Sequence, residues 1–119
     1  AIELYEHVFN QSPYFPAWIR YYYVYALLAS DQLEKAKEFA IKNSGLNYSY
    51  YGTNEILKLT LVFIAHKQND IKSAKKYFAE YKNMGGTLSS NYLKTDFGAS
   101  KSKNFINQFN KVLSNYGFE

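Results

Sequence analysis

The sequence predicts an all-α chain of antiparallel helix hairpins. Apolar residues recur at three- and four-residue spacing in six successive segments, and glycine, proline or a capping side chain interrupts them. No segment sustains the alternation of a half-buried strand. The chain has 119 residues, 47% of them apolar, with two prolines and six glycines. Such a length gives one domain that buries about two-thirds of the surface its unfolded chain exposes, and the composition excludes a disordered tail.

The elements follow in order. Ile2, Tyr5, Val8 and Phe9 share a helical face over 1–11, which Ser12-Pro13 ends because proline cannot continue the hydrogen-bonded ladder. Pro16 suits the first turn of a second helix, about 16–29, that is apolar on nearly every side. Asp31 is expected to cap a third helix of about 32–43, with Leu33, Ala36, Phe39 and Ala40 inward and Gly45 as its stop. After the tyrosine-bearing stretch 47–52, Thr53 or Asn54 is expected to cap a fourth helix of about 54–68, apolar on most sides. Asp70 caps a fifth, about 71–84, with Ala74, Phe78 and Tyr81 inward and Gly85-Gly86 as its stop. One short helical turn is expected around 88–93. A last amphipathic helix of about 100–116 then places Phe105, Ile106, Phe109, Val112, Leu113 and Tyr116 on one face and stops at Gly117.

Several function classes are excluded at this level. No cysteine is present, so disulfides, thiol nucleophiles and cysteine zinc sites are out. The longest apolar runs, Tyr21 to Ala29 and Leu59 to Ala65, fall short of the ~20 residues a spanning helix needs. His7 and His66 belong to different hairpins and have no metal-ligand spacing. Glu34 and Glu38 sit among Lys35, Lys37 and Lys42 as a solvated face, and Gly85-Gly86-Thr87 lacks the lysine of a phosphate loop. No catalytic residue, metal or cofactor is expected. The net charge of +4 is spread over lysines with a single arginine, Arg20, so nucleic acid is not the expected partner. The compartment stays open. Because Ala1-Ile2-Glu3 opens inside an amphipathic pattern, the chain is expected to be a fragment of a larger protein, with no signal peptide at its start.

Internal periodicity emerges when the alanines opening the second helix of each pair are aligned. Ala1, Ala36 and Ala74 lie 35 and 38 residues apart. The pattern reads Ala1, Tyr5, Val8, Pro13 in the first copy, Ala36 and Ala40 in the second, and Ala74, Phe78 and Tyr81 in the third. This resembles the second helix of the tetratricopeptide repeat, where a small residue permits close helix approach and an aromatic fills the space beside it. The first helices depart from the family: its tryptophan and glycine positions fall on Arg20 and Val24 and on Lys58 and Val62, with Trp18 two residues early. The resemblance implies a short right-handed superhelix: 1–14 as the second helix of a truncated repeat, 15–47 and 48–86 as full repeats, and 87–119 as a loop and capping helix. The tail, with Thr95-Asp96-Phe97 and a helix ending Val112-Leu113-Ser114-Asn115-Tyr116-Gly117, looks like the C-terminal end of bacterial adenylate-cyclase-like and winged-helix regulatory proteins.

The implied activity is non-catalytic: protein–protein interaction or scaffolding, regulating an attached effector in a bacterial signalling protein. Matching the family's concave surface gives a groove lined by Trp18, Tyr21, Tyr25 and Leu28 from one repeat and Ile56, Leu59, Phe63 and His66 from the next. The 19% aromatic content suits an apolar peptide there. The alternative is that these rings are core, or that the last helix, 100–116, lies in the groove and caps it. Exposed Ile2, Tyr5 and Phe9 would allow a homodimer through the first helix. The alternative of another class is a helical-repeat nucleic-acid binder using Lys72, Lys75, Lys76 and Lys82.

Overall fold

The periodic segments fold as helices. A computed structural model describes residues 2–11, 18–44, 53–89 and 103–119, and every regular element among them is helical. The helices are α1 (Ile2–Gln11), α2 (Trp18–Ala29), α3 (Leu33–Ser44), α4 (Thr53–Lys67), α5 (Ile71–Asn83) and α6 (Lys103–Ser114). Pro13, Pro16, Gly45, the stretch 47–52, the Thr95-Asp96-Phe97 loop and most of the short turn expected at 88–93 lie outside the described residues. Leu88 and Ser89, at the start of that turn, are not helical.

Four helices end in the same way. A residue in the left-handed region lets its own N–H and the next reach back to carbonyls of the last turn, which satisfies acceptors a helix end leaves unpaired. At α5 the left-handed residue is Gly85 (φ 79°): Gly85 N–H donates to Lys82 O at 3.0 Å and Gly86 N–H to Tyr81 O at 3.1 Å. At α6 it is Gly117 (φ 101°), with Phe118 N–H reaching Leu113 O. At α2 and α4 it is Asp31 (φ 62°) and Asn69 (φ 61°), the short polar residues that tolerate this conformation best. Asp31 therefore closes α2 and does not cap α3, contrary to the sequence reading, because Gln32 is the residue before the first turn of α3. Asp70 does cap α5, its carboxylate accepting from Ser73 N–H at 3.1 Å.

The turns at Asp31 and Asn69 are copies. Asp31 N–H to Leu28 O, Gln32 N–H to Leu27 O and Ala36 N–H to Gln32 O recur 38 residues later as Asn69 to His66, Asp70 to Ala65 and Ala74 to Asp70. Ala36 and Ala74 are both fully buried. A polar tie from the same place on the first helix joins each pair, though its partner is one residue out of register: Arg20 Nε donates to Asn43 Oδ1, and Lys58, 38 residues after Arg20, pairs with Glu80 Oε1 at 2.9 Å. One hairpin design is thus used twice, α2 with α3 and α4 with α5.

The chain divides into two compact units, Ala1–Leu57 and Lys58–Glu119. In the first, Tyr23 is the hub. Its ring meets Tyr5 of α1 at 6.3 Å and Phe39 of α3 at 4.8 Å, both edge to face. Buried Asn43 is held by its Nδ2 donating to Phe39 O at 2.8 Å. In the second unit, α6 lies against α4 through Phe63, whose ring is 5.1 Å from Phe109 and 5.7 Å from Phe105. Phe118 reaches Tyr81 of α5 at 6.2 Å.

Candidate functional site

The residues expected to line an open groove are mostly buried. Tyr25, Leu28, Ile56, Leu59 and Phe63 all lie in the core, each 8% exposed or less. On α4 the reason is α6: Phe105 and Phe109 cover Phe63, and half-buried His66 shares a 2.8 Å hydrogen bond between its Nδ1 and the Tyr116 hydroxyl. These side chains are packed within the fold. Trp18 and Tyr21 belong to α2, but their side chains lie outside the described ones. Of the repeat-packing residues, Ala36, Ala40, Ala74, Phe78 and Tyr81 are buried and Tyr5 is half-buried against Tyr23. Ala1, Pro13 and the Val8 side chain lie outside the described set. At the N-terminal edge Ile2 and Tyr5 are half-buried, while Leu4, absent from the expected edge, is 65% exposed.

Sequence spacing also missed a polar cluster in the first unit. The Tyr23 hydroxyl donates to Glu6 Oε2 at 2.9 Å, and Lys35 of α3 pairs with the same carboxylate. Glu6 thereby links α1 to both helices of the first hairpin. The Lys35 ammonium, then the Tyr23 hydroxyl, hold its carboxyl below the usual carboxylate range. Burial, with the hydrogen bond to Glu6 second, pushes the Tyr23 phenol up. A depressed acid stabilises the folded state above its unfolded pKa and loses that contribution as pH falls through the folded value. The link should therefore be intact at neutral pH and weaken below about pH 4. Glu6→Gln is expected to be the less stable chain at pH 7 in thermal melts, with the difference from wild type shrinking as pH falls below the carboxylate range.

The second unit holds a cleft of about 480 Å³ between the C-terminal ends of α5 and α6, bounded by Phe78, Tyr81, Gly86, Leu88, Phe118 and Glu119 among others. Its size matches small-molecule sites, but Tyr81 and Phe118 are 2% and 6% exposed and offer little of the apolar wall such sites use. Glu55, in the first turn of α4, is half-buried with one carboxylate oxygen unpartnered among the described residues, and burial raises its pKa. No other acid, base or nucleophile is placed beside it by the described contacts. Among the described residues no three His, Asp or Glu side chains come together as a metal site, and no helix is long and apolar enough to cross a membrane.

The lysines of the alternative reading stand elsewhere, on the outer side of α5. Lys72, Lys75, Lys76 and Lys82 are exposed; the first three stand away from the buried Ala74, Phe78 and Tyr81, and the Lys82 ammonium lies over the Phe78 ring, 5.6 Å from its centroid. The chain matches no protein-family model, no curated protein and no solved structure.

Proposed function

We propose that this chain is a non-catalytic protein–protein interaction module, built by repeating one helix hairpin as a short tetratricopeptide-like superhelix. The observation that carries the reading is the turn hydrogen-bond pattern repeated at a 38-residue offset, with a fully buried alanine at the same place in both copies. Repeated helix pairs stack through nearest-neighbour interfaces and leave outward helix faces free to vary, which makes them suited to binding. The likeness of the tail to bacterial cyclase-like and winged-helix regulators supports placing the module beside an effector in a larger signalling protein. The burial of Ile56, Leu59 and Phe63 on α4 directs the binding role away from an aromatic groove and onto an outer face.

Reconstitution tests this reading. A protein captured on the immobilised chain, then purified, should form a complex of fixed stoichiometry with it by light scattering, unaffected by nuclease. Capture that nuclease abolishes, or no stoichiometric protein complex, contradicts it.

A further inference from the structure

Charge is not spread evenly along this chain. From Ala1 to Leu57 there are four cationic side chains against six carboxylates, and from Lys58 to Glu119 ten cations, all lysine, against four carboxylates. Such asymmetry between halves signals an interaction with something anionic. The described part of this excess is concentrated on α5. Lys72, Lys75 and Lys76 fall on one side of the helix at the spacings that make neighbours, and Lys82 follows on that side two turns after Lys75. All four are exposed, and none is in an ion pair among the described residues. The two nearby carboxylates are engaged: Glu80 with Lys58, and Asp70 in capping Ser73.

The repeated hairpin supplies an internal control. At the same 38-residue offset, Lys72 and Lys76 stand where α3 carries Glu34 and Glu38, while Lys75 matches Lys37. The α3 face mixes both signs, and the hairpin folds there with glutamates at these places. The fold therefore does not require the lysines. Like charges three and four residues apart slightly destabilise the helix that carries them, so the lysine face is a cost that an anionic partner would offset.

Resting on the interaction-module reading, we propose that the lysine face of α5 is the docking surface for an acidic, extended segment of a protein partner. Ile71, 42% exposed, borders the lysines at the start of the helix, whereas Met84 caps its far end on another side. From Lys72 to Lys82 the face runs about 15 Å, a span that roughly four or five extended residues cover. The surface thus offers ammonium groups beside one apolar contact, which fits carboxylates interleaved with aliphatic side chains. Nucleic acid fits it less well. The face carries no arginine, and the ring beside it, Phe78, is buried and covered by Lys82, so it gives bases no platform.

Fluorescence anisotropy with a labelled octapeptide of alternating glutamate and leucine tests the proposal on the full chain. Its glutamine counterpart and a single-stranded oligonucleotide of equal length are the comparisons. The acidic peptide is expected to bind at ~20 mM salt and weaken at ~200 mM, while the glutamine peptide binds far less. The double variant Lys72→Glu/Lys76→Glu should bind about tenfold more weakly or worse, with unchanged helical circular dichroism, since α3 already accommodates glutamate at these places. Unchanged affinity in the folded variant overturns the proposal, as does failure of the acidic peptide to bind at the lower salt. Tighter binding of the oligonucleotide than of the peptide, lost in the same variant, overturns it in favour of a phosphate backbone. Each of these outcomes leaves the module reading to be judged by the stoichiometric complex.

Discussion

Phe109→Ala is expected to lower stability by about 3–5 kcal/mol, and thermal denaturation should show it as a fall of about 10–20 °C. Phe109 is fully buried, its ring 5.1 Å from Phe63 on α4 and 6.0 Å from Phe105 one turn earlier on α6. Truncation removes the transfer free energy of a whole ring and leaves a void that packed neighbours fill only partly. Phe105 is half-buried, so Phe105→Ala should cost less, about 1–2 kcal/mol. A Phe109→Ala cost no larger than that of Phe105→Ala would mean that α6 does not hold its place through this ring.

The second large effect is expected at Gly86. A Cβ built there would lie 2.3, 2.4 and 2.7 Å from three atoms of the Tyr81 ring. Tyr81 has little room to yield: it is 2% exposed, packed by Phe78 and Phe118, and its hydroxyl donates to Leu88 O at 3.3 Å. Gly86→Ala should therefore cost about 3 kcal/mol by overpacking. Neighbouring Gly85 reverses the logic, since its backbone is left-handed but a Cβ would meet nothing within 4 Å. Gly85→Ala should cost about 1 kcal/mol, the left-handed penalty alone. Denaturant titration of the two variants checks the order, and equal costs would contradict the close approach of Tyr81 to the turn.

The helix pairs were legible in the sequence because their signals are local. Period, breakers and caps act within a few residues, so Asp70, Gly85 and Gly117 could be read correctly as helix boundaries. Asp31 shows where local reading fails, because an aspartate beside a helix start serves equally as a side-chain cap or as the left-handed residue closing the helix before it. The sequence left the groove open between a partner site and a face filled by core packing or by the last helix, and could not choose. A helix that is apolar on nearly every side, as α4 is, carries no information about which face meets which neighbour. Phe63 became core through Phe105 and Phe109, more than forty residues further along the chain. The four lysines were picked out together in the sequence, but not what sets them apart. Lysines that look scattered in linear order share one exposed side of α5, and only the repeat offset reveals that two of them replace glutamates.

The central claim is that the chain closes its own aromatic face with α6 and binds through the outer face of α5. Hydrogen–deuterium exchange of the full chain, with and without the saturating acidic octapeptide, tests it most directly. Added protection is expected over Ile71–Met84, with the amides of α4 and α6 protected in the free chain and unchanged on binding. Weak protection of α6 in the free chain, or changes centred on Phe63, Phe105 and Phe109 while Ile71–Met84 stays unaltered, would contradict the claim and restore the groove.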